Sequence, residues 1–201
     1  MFKENSKKNT CLDTHFEGSK RQTMNENLDK ILVSEEKLEE IVNKLADEIN
    51  NDFKDEEVLL IVILKGSVVF AADLMRKLKM PVMIDFMKVS SYGSGTVSEK
   101  KINVILDLKT DIKGKNVIII EDIIDSGNTL HHLKNLLSER NPKSLKLCAL
   151  LDKPERRETD VIPEYIGTQI PDEFVVGYGL DYAERFRDLP YIGVLSRHVY
   201  E

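Results

Sequence analysis

The sequence predicts an α/β fold in which a central, mainly parallel and twisted sheet is flanked by helices. Three apolar runs carry this prediction: VLLIVIL at 58–64, VIIIED at 117–122 and SLKLCALLD at 144–152. Each run is too short for a good helix, so we expect strands that are buried on both faces. Because helical patterns separate these strands, their connections should be right-handed crossovers and the strands should be parallel.

The first helix is predicted to begin at residue 35. Ser34 is a suitable N-cap, and Glu35 and Glu36 fall in the first turn, where the helix dipole favours negative charge. Apolar residues then recur at helical spacing, at Leu38, Ile41, Val42, Leu45 and Ile49. This pattern indicates an amphipathic helix with one buried face.

Two further helices and two further strands complete the predicted sheet. Residues 67–80 and residues 126–140 predict helices. Residues 102–108 predict a strand, and residues 82–92 alternate between apolar and polar side chains, with Val82, Ile84 and Phe86 on one face. These elements continue the alternation of strands and helices.

The chain is expected to form one domain over residues 26–201. Residues 1–25 are polar and without periodicity, which predicts a flexible N-terminal tail. The stretch GSGTVSEKK at 93–101 has two glycines and no core anchor, so we expect a flexible loop. Residues 174–195 are rich in glycine and tyrosine, and we expect them to form a small hood subdomain together with the N-terminal segment of the domain.

Composition and charge narrow the possible classes of protein. The 201 residues are 41% hydrophobic and 32% charged, which is ordinary for a globular domain. The net charge of −6 disfavours a general nucleic-acid binder, and no apolar run approaches the roughly 18 residues of a membrane helix. The two cysteines, Cys11 and Cys148, form no C-x-x-C motif, so we expect no zinc knuckle or disulfide framework and favour a cytoplasmic location.

Ligands bind at the carboxyl ends of the strands in an open parallel sheet. Four charged segments occupy such positions after apolar runs: LKGS at 64–67, EDIIDSGNT at 121–129, LDKPERR at 151–157 and LDYAERFRD at 180–188. We therefore expect these four segments to meet at one edge of the sheet.

The segment 121–129 combines the features of a phosphate site and a sugar site. Residues 126–129 lie between a strand and a helix, where free N–H groups, hydroxyl groups and a glycine form a cradle for one phosphate. The Walker and Rossmann glycine motifs are absent. Glu121 and Asp122 would repel phosphate but accept hydrogen bonds from sugar hydroxyls, so the segment indicates a ribose 5-phosphate moiety. The alternative, a capped helix beside solvated acids, remains open on this segment alone.

The segment 121–129 also resembles the phosphoribosyl-diphosphate (PRPP) motif of type I phosphoribosyltransferases, in which two acids follow an apolar strand and precede Asp-[Ser/Thr]-Gly-x-Thr. Five ordered motifs narrow the resemblance to the bacterial hypoxanthine-guanine phosphoribosyltransferases: LKGS, SSYGSGT, EDIIDSGNT, LLDKPERR and PDEFVVGYGLDY. The resemblance covers about residues 28–201.

This resemblance implies a purine salvage reaction that depends on Mg²⁺. The 5-phosphoribosyl group of PRPP is transferred to hypoxanthine or guanine, giving IMP or GMP and pyrophosphate. The resemblance assigns ribose binding to Glu121 and Asp122, and deprotonation of the purine at N7 to Asp125. The implied 5′-phosphate loop consists of Asp125, Ser126, Gly127, Asn128 and Thr129.

The resemblance further implies that Lys65, Gly66 and Arg187 bind pyrophosphate, and that Asp181 holds Mg²⁺ together with Glu121 and Asp122. Judged from the residues alone, Lys65 and Arg187 could equally be solvated surface side chains. Ala183 stands where an asparagine is usual in the family, so a side-chain hydrogen bond that could order Asp181 is missing.

The implied purine site consists of Lys153, Phe174, Val175 and Asp181. Lys153 would donate to the 6-oxo group and reject adenine, because an ammonium group cannot accept a hydrogen bond from a 6-amino group. Phe174 would stack on the base and the backbone of Val175 would contact its edge, although an isolated Phe is more often a core residue. Ser91 and Tyr92 match the start of a flexible loop that would close over the site and exclude water.

Two alternative functions remain open from the sequence. A related transferase that uses xanthine, uracil or orotate would share residues 121–129, although Lys153 and Phe174 favour a 6-oxopurine. A regulatory protein that binds RNA would need a basic face, which the net charge disfavours. The expected partners are PRPP, hypoxanthine and guanine, with no nucleic acid and no membrane, and the resemblance implies a homodimer or homotetramer.

Overall fold

A six-stranded sheet forms the centre of the computed structural model, which describes residues 27–91 and 102–201. Its strands are β2 (Val58–Ile63), β3 (Val82–Ser91), β4 (Ile102–Leu106), β5 (Asn116–Ile124), β6 (Ser144–Asp152) and β7 (Tyr165–Gln169). They lie in the order β4-β3-β2-β5-β6-β7. All neighbouring pairs are parallel except β3 and β4, so the prediction of a mainly parallel sheet is confirmed.

Helices cover both faces of this sheet. They are α1 (Glu35–Phe53), α2 (Val68–Met75) and α3 (Asn128–Ser138). Side chains of β2 alternate between the two layers: Leu60 packs in the cluster that contains α1 and α2, whereas Leu59 packs in the cluster that contains α3. Every residue of β2 is buried, which explains why the run has no polar position.

Helix α1 begins as its sequence predicts. Ser34 is the N-cap, and its Oγ accepts a hydrogen bond from the Lys37 backbone N–H at 3.3 Å. The predicted apolar stripe is the buried face of the helix.

Helix α2 is shorter than predicted, because it ends at Met75 and the expectation of a helix over 67–80 was wrong. The Asn50 side chain of α1 donates to the Lys77 carbonyl at 3.2 Å and accepts from the Lys79 backbone N–H at 2.8 Å. These tertiary bonds satisfy backbone groups outside the helix and hold the segment before β3 in an irregular course.

The face of β3 that carries Ile84 and Phe86 is largely open. The alternation was predicted correctly, but the side chains of Ile84 and Phe86 are 41% and 37% exposed. Met87, on the opposite face, is fully buried. On this face Val82 still packs against the core, whereas Ile84 and Phe86 lie outside it.

A second, three-stranded antiparallel sheet joins the two ends of the described chain. It consists of β1 (Leu28–Val33), β8 (Val175–Val176) and β9 (Ile192–Leu195), in the order β1-β9-β8. Its own small cluster includes Val176, Phe186, Leu189 and Leu195. Strand β1 was not predicted, because most of its residues remain at least partly exposed.

Three expectations from the sequence concern residues outside the described ranges. The tail over 1–25, Tyr92 and the loop 93–101 all lie there. No helix in the described ranges is both long enough and apolar enough to cross a membrane.

Candidate active site

The carboxyl ends of β2, β5 and β6 bring three of the predicted segments together. Glu121 and Asp122 lie inside β5, as the predicted strand over 117–122 has them, and the strand runs on for two more residues to Ile124. A Cβ atom built on Gly66 would lie 1.5 Å from Asp122 Oδ2, which shows how closely the loop after β2 approaches the acid. The Lys153 backbone N–H donates to the Ile124 carbonyl at 2.9 Å, which ties the end of β6 to the end of β5.

The predicted pyrophosphate residues occupy one small area around Gly66. The peptide bond between Leu64 and Lys65 is cis. A Cβ on Gly179 would lie 2.1 Å from the Gly66 carbonyl oxygen, and Gly179 has φ +102°, so only glycine suits this crossing of two loops. Arg187 Nη1 donates to the Gly179 carbonyl at 2.8 Å, which places the arginine beside the same loop.

Arg187 and Asp181 form an ion pair with an Nη2–Oδ1 distance of 2.8 Å. The Glu184 backbone N–H donates to Asp181 Oδ2 at 2.9 Å. These two contacts order Asp181 although Ala183 offers no side-chain hydrogen bond. Lys65 is half exposed and pairs with Glu184 at 2.9 Å, so its ammonium group lies at the mouth of the site.

The paired acids of β5 are electrostatically unfavourable as they stand. Desolvation, reinforced by the charge of Asp122, raises the pKa of Glu121 well above its usual range. Desolvation also raises the pKa of Asp122 to about 6, against an opposing contribution from Arg187. Glu121 Oε2 is shielded from solvent and has no hydrogen-bond partner among residues 27–91 and 102–201. Such a group is suited to accept hydrogen bonds from a ligand.

The predicted phosphate loop is a tight turn at the start of α3. Gly127 is the N-cap and has φ +81°, a left-handed conformation that favours glycine. Ser126 Oγ accepts hydrogen bonds from the Asn128 backbone N–H at 3.4 Å and from Asn128 Nδ2 at 3.1 Å. Thr129 lies in the first turn of α3, so four of the five predicted loop residues, Ser126, Gly127, Asn128 and Thr129, surround one helix N-terminus.

All the residues expected to bind the purine line one cavity of about 500 Å³. Its lining includes the predicted residues Asp125, Lys153, Phe174, Val175 and Asp181. Lys153 is 7% exposed, and its Nζ donates to the Glu173 carbonyl at 2.6 Å. The volume lies in the range of small-molecule sites, and the lining combines apolar walls with a few charged groups.

Phe174 is not a core residue, because it is 41% exposed at this cavity. Its ring stacks on Tyr200, with centroids 5.1 Å apart and planes at 25°, and meets Tyr182 edge-on at 5.6 Å. Tyr200 could not be predicted from the sequence, because no local motif marks a contact with a residue 26 positions earlier.

Asp125 is already bound to a cation. The Arg156 Nε atom lies 2.6 Å from Asp125 Oδ1, and Arg156 Nη1 lies 3.3 Å from Asp172 Oδ1. Both partners of Arg156 line the cavity. Arg156 stands in the LLDKPERR motif, but no role was predicted for it, since pairing across 31 positions leaves no local signal.

Ser91, the other residue expected in the loop that closes the site, is the last residue of β3. Its partner Tyr92 falls in the undescribed stretch, so the closing loop stays a prediction.

Comparison with known proteins shows the family to which this chain belongs. The pattern of the phosphoribosyl transferase domain family matches residues 30–183. The chain therefore belongs to the phosphoribosyltransferase family.

Individual relatives narrow the family to one branch, the hypoxanthine-guanine phosphoribosyltransferases. The enzyme of that name from Bacillus subtilis (strain 168) is 48% identical over 178 residues, which are 89% of this chain and 99% of that protein. The crystal structure of a hypoxanthine-guanine phosphoribosyltransferase from Bacillus anthracis matches with a TM-score of 0.81 and 53% identity, over 84% of this chain and 99% of that one.

A longer relative contains a similar region. The bifunctional protein TilS/HprT of Listeria monocytogenes serotype 4b (strain F2365) is 42% identical over 206 residues, or 96% of this chain. This chain spans 32% of the length of that protein.

The raised pKa of Asp122 predicts that Asp122→Asn stabilises the ligand-free protein at neutral pH. Between pH 3.8, the usual pKa, and about pH 6, the folded state binds more protons than the unfolded state, so stability falls as pH rises. Asparagine does not ionise, so the Asp122→Asn protein does not lose this stability as pH rises. The free energy of unfolding, measured in urea, should rise by about 1–3 kcal/mol at pH 8, with a much smaller gain at pH 4.

The matched control for this prediction is Glu40→Gln on α1. Glu40 is exposed and pairs with Lys37, so its substitution should show no gain that grows with pH. Equal stability of Asp122→Asn and the parent at pH 8 would contradict the desolvation of this acid.

Proposed function

We propose that this chain is a purine salvage enzyme, a hypoxanthine-guanine phosphoribosyltransferase that makes IMP or GMP and pyrophosphate from PRPP and the base. The observation that carries the proposal is the meeting of the phosphate loop, the paired acids and the base-sized cavity at the ends of β5 and β6. A ligand in this place would contact a helix N-terminus with its phosphate and the cavity with its base. The names of the relatives support the same reaction.

The test of this proposal is a turnover assay with PRPP, Mg²⁺ and each of hypoxanthine, guanine, xanthine and adenine. Hypoxanthine and guanine should be converted, and adenine should not, because Lys153 can only donate. Uracil and orotate serve as controls for a transferase of another base. Absence of turnover with every base, together with RNA binding that weakens as salt is raised, would favour the regulatory alternative instead.

The proposed roles of the site residues follow from their charge. Glu121 and Asp122 would accept hydrogen bonds from the ribose hydroxyls, and residues 125–129 would hold the 5′-phosphate at the start of α3. Lys65, Gly66 and Arg187 would bind the pyrophosphate and neutralise its charge as it leaves. The close contact between Gly66 and Asp122 supports this proposal, because it sets these two binding regions side by side.

The proposed Mg²⁺ site uses Asp181, with Glu121 and Asp122 nearby. Among the described residues, no three His, Cys, Asp or Glu side chains form a metal site made of protein alone. Mg²⁺ commonly takes one or two carboxylates and completes its shell with water and phosphate oxygens, so this donor set fits it. When bound, Mg²⁺ supplies positive charge to the departing pyrophosphate.

Asp125 is the proposed proton acceptor for N7 of the purine. Because Arg156 Nε holds Oδ1 of this carboxylate, the incoming base must compete with the guanidinium for the acid. Arg156 Nη1 also contacts Asp172, so the guanidinium keeps one acidic partner when the base takes Asp125.

Substitution of Asp125 by asparagine should therefore lower kcat on the order of 100-fold, the usual contribution of a general base, and leave PRPP binding nearly unchanged. Steady-state kinetics and calorimetry with PRPP measure the two effects separately. Asp107→Asn, which removes an acid paired with Arg140 outside the cavity, is the matched control and should leave kcat nearly unchanged. Unchanged turnover in Asp125→Asn would rule out the proton-acceptor role.

Replacement of Lys153 by methionine should raise the KM for hypoxanthine and guanine about tenfold or more, because a charge-assisted hydrogen bond to the 6-oxo group is lost. Methionine keeps the aliphatic stem of this buried side chain, so the cavity wall is preserved. The KM for PRPP should change little. Equal increases for base and PRPP would argue against a role in reading the base.

The proposal extends to location, to assembly and to the hood. The buried free thiol of Cys148 supports a cytoplasmic location.

The exposed apolar side chains of Ile84, Phe86 and Ile105 support a homodimer or homotetramer, which light scattering would detect as a multiple of 23.0 kDa. The three-stranded sheet, which carries Phe174 at the edge of β8, is the proposed hood over the base.

A further inference from the structure

A short segment after β6, residues 157–159, packs against the phosphate loop. The Glu158 backbone N–H donates to the Ser126 carbonyl at 2.9 Å, and Thr159 Oγ1 donates to the same carbonyl at 3.5 Å. Asn128 Nδ2 donates to Glu158 Oε2 at 2.6 Å. The position of the loop therefore depends on this segment as well as on α3.

Arg157 and Thr159 both lie against the glycine of the loop, and Arg157 is the charged one of the two. A Cβ atom built on Gly127 would lie 3.2 Å from Arg157 Nη1 and 3.2 Å from its Cδ. Arg157 Nη2 pairs with Asp152, which is 4% exposed at the carboxyl end of β6. One arm of the guanidinium is thus fixed to the sheet, and the other lies beside the loop.

The arm beside the loop is unsatisfied. Nη1 of Arg157 is shielded from solvent, and no hydrogen-bond partner for it exists within the described ranges. A buried guanidinium arm without a partner is unfavourable unless a ligand or an ordered water supplies an acceptor. The loop is otherwise rich in acids, since Asp125 is its first residue and Glu158 lies beside it. A dianionic phosphate would be poorly tolerated here without a nearby cation.

We propose that Arg157 is a positioning residue for the phosphate loop. It fixes the loop from the side of β6 and supplies the positive charge that makes the loop accept a phosphomonoester. This inference rests on the proposed function, because it takes the loop to bind the 5′-phosphate of PRPP.

The experiment compares the full chain with Arg157→Gln, Arg157→Lys and the double variant Asp152→Asn/Arg157→Gln. The single change to glutamine leaves Asp152 buried without its cation, which alone could unfold the protein. The double variant replaces the ion pair by a neutral hydrogen-bonded pair of similar shape, and so removes the charge with little change in packing. Arg140→Gln, which breaks the remote pair with Asp107, is the matched control.

Three quantities are measured: the melting temperature, the affinity for ribose 5-phosphate by calorimetry, and the KM values for PRPP and hypoxanthine. In the folded double variant, we expect the affinity for ribose 5-phosphate to fall about tenfold and the KM for PRPP to rise by a similar factor, the usual effect of losing one charged contact. The KM for hypoxanthine should stay within about threefold of the parent, and Arg157→Lys should recover part of the loss.

A folded double variant with the parent's affinity for ribose 5-phosphate and the parent's KM for PRPP would overturn the inference, and would leave Arg157 a purely structural role. If the double variant does not fold, Arg157→Lys decides between a positioning role and a purely structural role. A raised KM for PRPP with an unchanged KM for hypoxanthine supports the positioning role. Parental values of both KM overturn it. The calorimetric measurement needs no turnover. Failure of the parent to convert hypoxanthine would therefore count against the proposed function, while the ribose 5-phosphate series would still test Arg157.

Discussion

The close approach of Gly66 to the Asp122 carboxylate is the contact on which the rest of the site depends. It exists because β2 and β5 are parallel neighbours, so the loop after β2 and the end of β5 reach the same edge of the sheet. The lack of a side chain at Gly66 lets this loop lie against the acid, and Gly179 crosses the same loop from the other side. Two loops and one strand are thereby joined within a few ångströms.

This arrangement carries an electrostatic cost in the ligand-free protein. The acids at the end of β5 are held where desolvation disfavours their charge, and Arg187 offsets part of that cost for Asp122. Two further ion pairs lie at the same edge of the sheet: Arg156 pairs with Asp125, and Arg157 pairs with Asp152. Charged groups that are incompletely satisfied by the protein alone are what a highly charged sugar diphosphate would require.

Much of the fold could be predicted from the sequence, because β2, β5 and β6 are apolar throughout and Ser34 caps a helix by purely local chemistry. The predicted base residues Asp125, Lys153 and Phe174 do line one cavity. The early end of α2 could not be predicted, since Asn50 binds backbone groups that are distant in sequence. The stack of Tyr200 on Phe174 and the contact of Arg157 with Gly127 also join distant residues, and such contacts leave no periodic or local signal.

The most direct test of this account is the affinity of Gly66→Ala for PRPP, measured by calorimetry in the presence of Mg²⁺. The added Cβ would lie 1.5 Å from Asp122 Oδ2, so the carboxylate must rotate away while the strands keep their places. We expect a protein that melts near the parent's temperature and binds PRPP about tenfold more weakly or worse, because the proposed ribose and pyrophosphate regions no longer meet correctly. A folded Gly66→Ala protein with the parent's affinity for PRPP would contradict the account.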